Sequence, residues 1–375
     1  MWFLSALSTI ALLSGPSAPV VHGPRASTSP MPVYRFSARG RGIAFRCAFD
    51  SKRLHRCRAR YSQRLNVGRH VLRVQAVDRR GRRSRVTVVR VVISAPFLRP
   101  AATIAVGSRP IGLAFGAGAV WAANYGAGSV TKIDPSTNRV TGTIDVAGQP
   151  YGAAYGAGSI WIGDIAEGKV SRIDPATGAV TKIALGGEEL TPSLGFGSVW
   201  FPNFRGGIVN RVDPATNTVT ASIAIGGQPE AVAFGTSSVW VSNEDSTVER
   251  IDPATNVVIA RIAVPPDPNF IAVDDSGAVW VTSFEGTAVT RIDPLTNAIS
   301  GSLPVPTGTE GIAIAAGSVW VGNYNEGTLL RIDPASVEVT ARYRVGSRPR
   351  QIAFGAGSLW IANEGSNTVS RIALP

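Results

Sequence analysis

Tryptophan recurs along most of this chain at a nearly constant interval. Trp121, Trp161, Trp200, Trp240, Trp280, Trp320 and Trp360 are spaced by 40, 39, 40, 40, 40 and 40 residues. A basic–aliphatic–Asp-Pro motif follows each of the first six. It reads Lys132-Ile133-Asp134-Pro135, then Arg172-Ile173-Asp174-Pro175, and recurs at Arg211, Arg250, Arg291 and Arg331. The seventh copy, Arg371-Ile372, runs into the chain end at Pro375. A period of this length is one supersecondary unit repeated, each copy burying its apolar face against its neighbours.

The fourth copy shows what the unit is. Glu230–Phe234 is small and apolar, as an inner strand requires where backbones crowd. Ser238–Ser242, Thr247–Ile251 and Val257–Val264 supply three further short strands, with a Gly-containing turn after the first and Asp-Pro-Ala-Thr-Asn before the last. Four strands in about 40 residues is the size of one β-propeller blade. The 41 Gly and 25 Pro of the chain supply the turns such a fold needs. The last unit stops after its third strand, and the segment 102–106 matches the fourth-strand segment Ser222–Ile225. The pattern predicts an all-β protein with a seven-bladed propeller over 101–375, closed by strand 102–106 completing the last blade. Closure removes the exposed edge of an open array.

Most repeated residues read as structural. The tryptophans are expected to pack between blades, and the Asp-Pro pairs to form type I turns whose Asp accepts backbone N–H bonds. Single carboxylates so far apart lack the oxygen cluster that calcium needs. The repeat resembles the YVTN-type propellers through Val239-Trp240-Val241-Ser242-Asn243 and Val248-Glu249-Arg250-Ile251-Asp252-Pro253-Ala254-Thr255-Asn256, and is similar to the virginiamycin B (streptogramin) lyase group. The likeness covers 101–375 and implies the fold more than any activity.

Function in a repeat protein lies where copies differ. Aligned on Trp, the residue just after the recurrent Pro is Ile111, Tyr151, Leu190, Glu230, Asn269, Glu310 and Arg350. Tyr151, Glu230, Asn269, Glu310 and Arg350 are the candidate ligand-binding residues, a ring of polar groups at the channel mouth. Three residues after each Trp stand Asn124, Asp164, Asn203, Asn243, Ser283, Asn323 and Asn363, a near-uniform column that reads as turn chemistry. The lyase resemblance implies a propeller-borne His base with Glu and magnesium. The three histidines, His22, His55 and His70, all lie outside 101–375, and the post-Trp column holds no Glu. Proton abstraction then lacks its usual agent near neutral pH. No metal set, catalytic triad or phosphate loop appears in the propeller.

The first hundred residues are chemically different. They hold 20 of the 37 Lys and Arg and only two acids, Asp50 and Asp78, whereas 101–375 holds 17 basic and 23 acidic residues. Trp2–Leu13 is a short apolar run followed by small residues, so 1–23 is expected to be a signal peptide, although no Lys or Arg precedes Arg25. No stretch is long enough for a helical membrane span. Period-2 runs at 43–47, 70–78 and 85–93 predict a small basic sandwich over 33–94, and 95–100 reads as a linker.

This region resembles a bacterial immunoglobulin-like module through Phe45-Arg46-Cys47-Ala48-Phe49-Asp50, Cys57, Gly68-Arg69-His70 and Val74-Gln75-Ala76-Val77-Asp78 with Gly81. Arg82 departs from the Asn usual after that Gly. In an exported sandwich Cys47 and Cys57 are expected to form a disulfide, with two free thiols as the alternative. His70 reads as structural, and His55 sits in a basic loop expected to be solvated. The Arg surplus fits either a solvated face or an anionic cell-surface polymer.

These observations favour a secreted or cell-surface bacterial protein, a monomer, with a non-catalytic propeller that binds a small molecule or protein and needs no cofactor. The alternative is a virginiamycin B lyase-like or sugar-lactone hydrolase-like enzyme, for which magnesium is the cofactor of the lyase reading.

Overall fold

Strands supply nearly all the regular structure of the computed structural model, which describes residues 15–93, 97–166 and 168–374. The one helical element among them is a 3-10 turn at Glu364–Ser366. The chain divides into two compact units, Met1–Pro96 and Phe97–Pro375.

The second unit is a seven-bladed propeller. Blade 1 takes its strands in sequence order, Pro110–Gly116, Ala119–Asn124, Ser129–Asp134 and Arg139–Asp145. Blades 2 to 6 repeat that four-stranded order over 150–184, 193–224, 229–263, 268–304 and 309–344. Blade 7 has Pro349–Gly355, Ser358–Asn363 and Thr368–Ala373. Its fourth strand comes from the other end of the unit, Ala102–Ala105, antiparallel in the register Ala102↔Arg371 to Ala105↔Thr368. Inner strands crowd one another, so glycine is required there: a Cβ on Gly112 would lie 2.4 Å from the Tyr151 carbonyl oxygen.

Each Trp of the seven is at most 1% exposed. Trp121 packs on Ile160 and Ile162 of blade 2, and Trp360 on Leu113 and Val120 of blade 1. The basic residue of the Asp-Pro motif adds an inter-blade latch that the sequence analysis did not foresee. Arg211 illustrates it. The guanidinium lies 4.9 Å from the centre of the Trp200 ring. Its Nε donates to Ser198 Oγ at 2.9 Å, and Nη1 donates to the Pro253 carbonyl at 2.7 Å and to Asn256 Oδ1 at 2.9 Å in the next blade. Arg172 and Arg250 repeat this arrangement, and Arg371 carries it across the ring closure to Pro135 and Asn138.

The turn is one residue longer than a simple type I turn. The Asn138 N–H bonds the Asp134 carbonyl, with Asn138 at φ +57° in the left-handed region. Asn tolerates that conformation and aims its amide oxygen at the neighbouring Arg. The expected linker is also partly a strand: Phe97–Leu98 pairs in parallel with Arg342 and Tyr343 on the outer edge of blade 6. Residues 94–96 lie outside the described residues.

The first unit holds a three-stranded sheet and a five-stranded sheet. Tyr34 and Phe36 from one face Phe45, Cys47, Leu72, Val74, Val89 and Val91 from the other in a shared core. Cys47 and Cys57 form a disulfide across the Ala44–Phe49 and His55–Cys57 pair. His55 therefore sits in a strand and not a loop. The unit begins earlier than 33: Val20–His22 pairs with Val33–Ser37, and Ala26–Ser27 pairs in parallel with Thr87–Ile93. Of the expected leader, 1–14 lies outside the described residues, while Ser17 N already donates to the Arg39 carbonyl. Both nitrogens of His70 face acceptors, Asp50 Oδ2 at 2.6 Å and the Asn66 carbonyl at 2.8 Å. Only an imidazolium satisfies both, so His70 is a charged structural brace.

Candidate functional site

Seven inner strands begin at the same end of the propeller, so the residue after each strand opening shares one face. Four of the five candidate residues there are linked by contact or by charge. Arg350 Nη1 donates to Glu310 Oε1 at 2.6 Å. Its guanidinium carbon lies 5.9 Å from the Tyr151 ring centre and 5.1 Å from that of Tyr324. Glu230 is buried, and its carboxyl feels the charges of Glu310 and Arg350. Asn269 is buried on the intervening blade 5, and its Oδ1 has no donor among the described residues. The apolar Ile111 and Leu190 complete the ring, both buried.

Two halves of this face differ electrically. On blades 6, 7 and 1 the charges alternate, from Glu310 through Arg350 and Glu364 to Arg109. Glu364 Oε2 accepts from Arg350 Nε at 3.1 Å, and Glu364 Oε1 accepts from Arg109 Nη2 at 2.6 Å. Burial pushes the Glu364 carboxyl up, but Arg350 and Arg109 together outweigh it and hold it below its ordinary range. On blades 4 and 5 the acids outnumber their partners. Burial drives the Glu230 carboxyl well above the carboxylate range, and the nearby Glu310 and Glu244 charges add to it. Burial raises Glu244 too, with the Asp267 and Glu285 charges adding to it. Burial also raises Glu310 against the pull of Arg350, and its Oε2 has no donor among the described residues. Burial raises the Tyr151 phenol, so it stays protonated.

Gln351, on the inner strand of blade 7, reaches the inner strands of two other blades. Gln351 Oε1 accepts from Leu113 N at 3.0 Å and Ala153 N at 3.1 Å, while its Nε2 donates to the Ala153 carbonyl at 2.9 Å. Blade 7 is thereby tied to blades 1 and 2.

The near-uniform column is turn chemistry at Asn203, whereas Asn243 and Asn363 tie down the loop that enters the inner strand of the same blade. Gln228 N and Gly346 N donate to Asn243 Oδ1 and Asn363 Oδ1, and Gly206 N to Asn203 Oδ1. Residues beside that column were missed in the sequence. The next position, Tyr125, Ile165, Phe204, Glu244, Phe284, Tyr324 and Glu364, varies as much as the one selected and carries three groups of the mouth. Glu189 was missed for a different reason. It occupies the place of the strand-opening proline in blade 3, fully buried, with Asn203 and Asn210 amides donating to Oε1 at 3.0 Å each. Burial outweighs those bonds and pushes it up to about 7.

Among the described residues no three His, Cys, Asp or Glu converge closely enough to hold a metal ion. The mouth offers instead acid–base groups at raised pKa and buried acceptor oxygens without donors.

No family model matches the sequence, and no curated protein does. The fold is shared with solved propellers. A streptogramin B lyase superposes with a TM-score of 0.64 at 18% identity, over 72% of this chain and 96% of that one. Virginiamycin B lyase from Staphylococcus aureus gives 0.64 at 16%, over 73% and 99%. Hydrazine synthase of Kuenenia stuttgartiensis gives 0.65 at 15%, over 74% and 99%. Identities this low carry the fold and no activity.

Proposed function

We propose that the propeller binds a small molecule at the Glu230 side of the channel mouth, and that the ligand presents a primary ammonium group. One observation carries this reading. The inner strands of successive blades 4, 5 and 6 carry Glu230, Asn269 and Glu310, and both Asn269 Oδ1 and Glu310 Oε2 are buried acceptors without donors among the described residues. A buried acceptor left unpaired costs about 1–3 kcal/mol. An ammonium brings three N–H donors and a positive charge to a face whose acids exceed their partners. Tyr151 and Tyr324 supply aromatic walls for the rest of the molecule. Calorimetry with n-butylammonium against n-butanol tests it. Binding of the amine alone, lost in Glu230→Gln and Glu310→Gln, supports the site; equal behaviour of the two probes refutes it.

A second reading is enzymatic, favoured by the fold shared with the streptogramin-type lyases. The chain has no propeller His, so a Glu230 carboxyl at raised pKa beside the Tyr151 phenol is the acid–base pair available. Incubation with virginiamycin B and mass spectrometry separates the outcomes. Ring opening without mass change marks elimination, and gain of one water marks hydrolysis. An unaltered antibiotic favours the binding reading. Export is part of the same proposal, supported by the apolar N-terminal run and the Cys47–Cys57 disulfide. The basic first unit is the surface we assign to anionic cell-surface polymers, to be tested by the salt dependence of binding.

A further inference from the structure

The Asp-Pro turns and the Gly-containing hairpins lie on the face opposite the channel mouth, and there the inter-blade latch fails at one seam. In blade 5 the position two before Trp holds Ala278, where every other blade with an Arg latch holds Ser. In blade 6 the last turn position holds Val337, where four other turns hold Asn. Arg291 has therefore lost both the hydroxyl and the amide that seat its counterparts. Its Nε is buried without an acceptor among the described residues, and its guanidinium stands 5.8 Å from the Trp280 ring, the longest of the seven stacks. Val337 holds φ +55°, a conformation that β-branched residues rarely adopt. The seam thus gives up stability at two positions.

The space around Arg291 is shaped for a ligand. A cavity of about 280 Å³ runs from the guanidinium to Ile314, Val319 and Pro334 of blade 6. A second, of about 530 Å³, lies on its blade 4 side, and Leu295, 91% exposed, lines it where the other turns carry Ala or Ser. The acids nearby do not occupy the Arg. Asp274 is consumed by Ser276, Ala278 N and Trp280 Nε1, Asp293 caps its own turn at Leu295 N, and Asp275 is exposed to solvent. None of the three forms an ion pair with Arg291.

We infer that the blade 5–6 seam is a second binding site, independent of the channel mouth, for a carboxylate carried on a small apolar group. The guanidinium fork, freed of its turn, takes both carboxylate oxygens. The apolar part lies on Ile314 and Val319. Benzoate is the probe, with benzyl alcohol as its uncharged counterpart, on the full chain at constant ionic strength. The readout in the wild type is the Arg291 Nε–H resonance, identified by its loss in Arg291→Lys, and affinities of the wild type and variants are compared by calorimetry. Benzoate is expected to shift it saturably and benzyl alcohol not to. Arg291→Lys, which keeps the charge and loses the fork, is expected to weaken benzoate binding at least fivefold. Ala278→Ser with Val337→Asn rebuilds the latch and is expected to weaken it at least tenfold. A resonance that benzoate leaves unmoved overturns the inference, as does benzoate affinity unchanged in Arg291→Lys.

Discussion

Glu189 makes the stability of the propeller depend on pH in a way that can be calculated. Its carboxyl titrates near 7 in the folded chain against 4.5 for an ordinary Glu. The folded state therefore prefers the proton. Its contribution is complete below pH 4.5 and is lost as pH rises through 7. At roughly 1.4 kcal/mol per unit, ionising it in place costs about 3 kcal/mol by pH 8.5. The perturbation is Glu189→Gln, which cannot ionise. Gln keeps an oxygen for the Asn203 and Asn210 amides but puts an NH2 where Oε2 already lacks a partner. It should start less stable at pH 4.5, by about 1–3 kcal/mol for a buried donor left unsatisfied. It should then lose about 3 kcal/mol less than the wild type between pH 4.5 and 8.5. Urea unfolding followed by Trp fluorescence reads this, because seven of the eight Trp lie in the propeller. Parallel pH profiles for the two proteins would refute the reasoning.

Three further outcomes follow from the same structure. Arg211→Ala should lower propeller stability by roughly 2–4 kcal/mol, and a double-mutant cycle with Asn256→Ala should show coupling; additive losses would mean the latch is not a unit. Binding of n-butylammonium should release a proton from the raised Glu230 or Glu244 carboxyl, so affinity should rise with pH and the apparent enthalpy should follow the buffer's ionisation heat; no buffer dependence contradicts a protonated acid at the site. In the first unit the Asp50 and Asn66 acceptors raise His70 against burial, while His70 and Val71 N lower Asp50 against burial. Stability of that unit should therefore fall as pH rises through the raised His70 value, and fall again in acid as Asp50 protonates; a His70 ring titrating at or below 6.5 by NMR rules this out.

The propeller was legible because its signals are local and repeated. Period-2 strands, Asp-Pro turns and a Trp every 40 residues each fix one blade, and seven copies leave little choice of architecture. The latch was less legible. Its partners lie 42 to 47 residues apart, as in Arg172 to Pro214 and Arg250 to Asn297, and no short window contains both. Tyr151, Glu230, Glu310 and Arg350 stood out as candidates because the column that holds them varies from blade to blade. Glu244, Tyr324 and Glu364 escaped because they stand next to a uniform column that drew the attention. Gln351 escaped because a lone amide on an inner strand has no sequence signature; only the closed ring brings Leu113 and Ala153 within its reach. In the first unit the strands after residue 43 were clear, whereas Val20–His22 is short, exposed at its ends and hidden beside an apolar leader-like run.

The most direct test of the ammonium site is a crystal of the full chain soaked with 4-bromobenzylammonium, whose aryl bromide is inert, above neutral pH. Anomalous signal from bromine locates the molecule without ambiguity. The account predicts the nitrogen within hydrogen-bond distance of Glu230, Asn269 and Glu310, with bromine toward Tyr151 or Tyr324. Bromine found only at other surfaces, with the mouth unchanged at saturating amine, would contradict it.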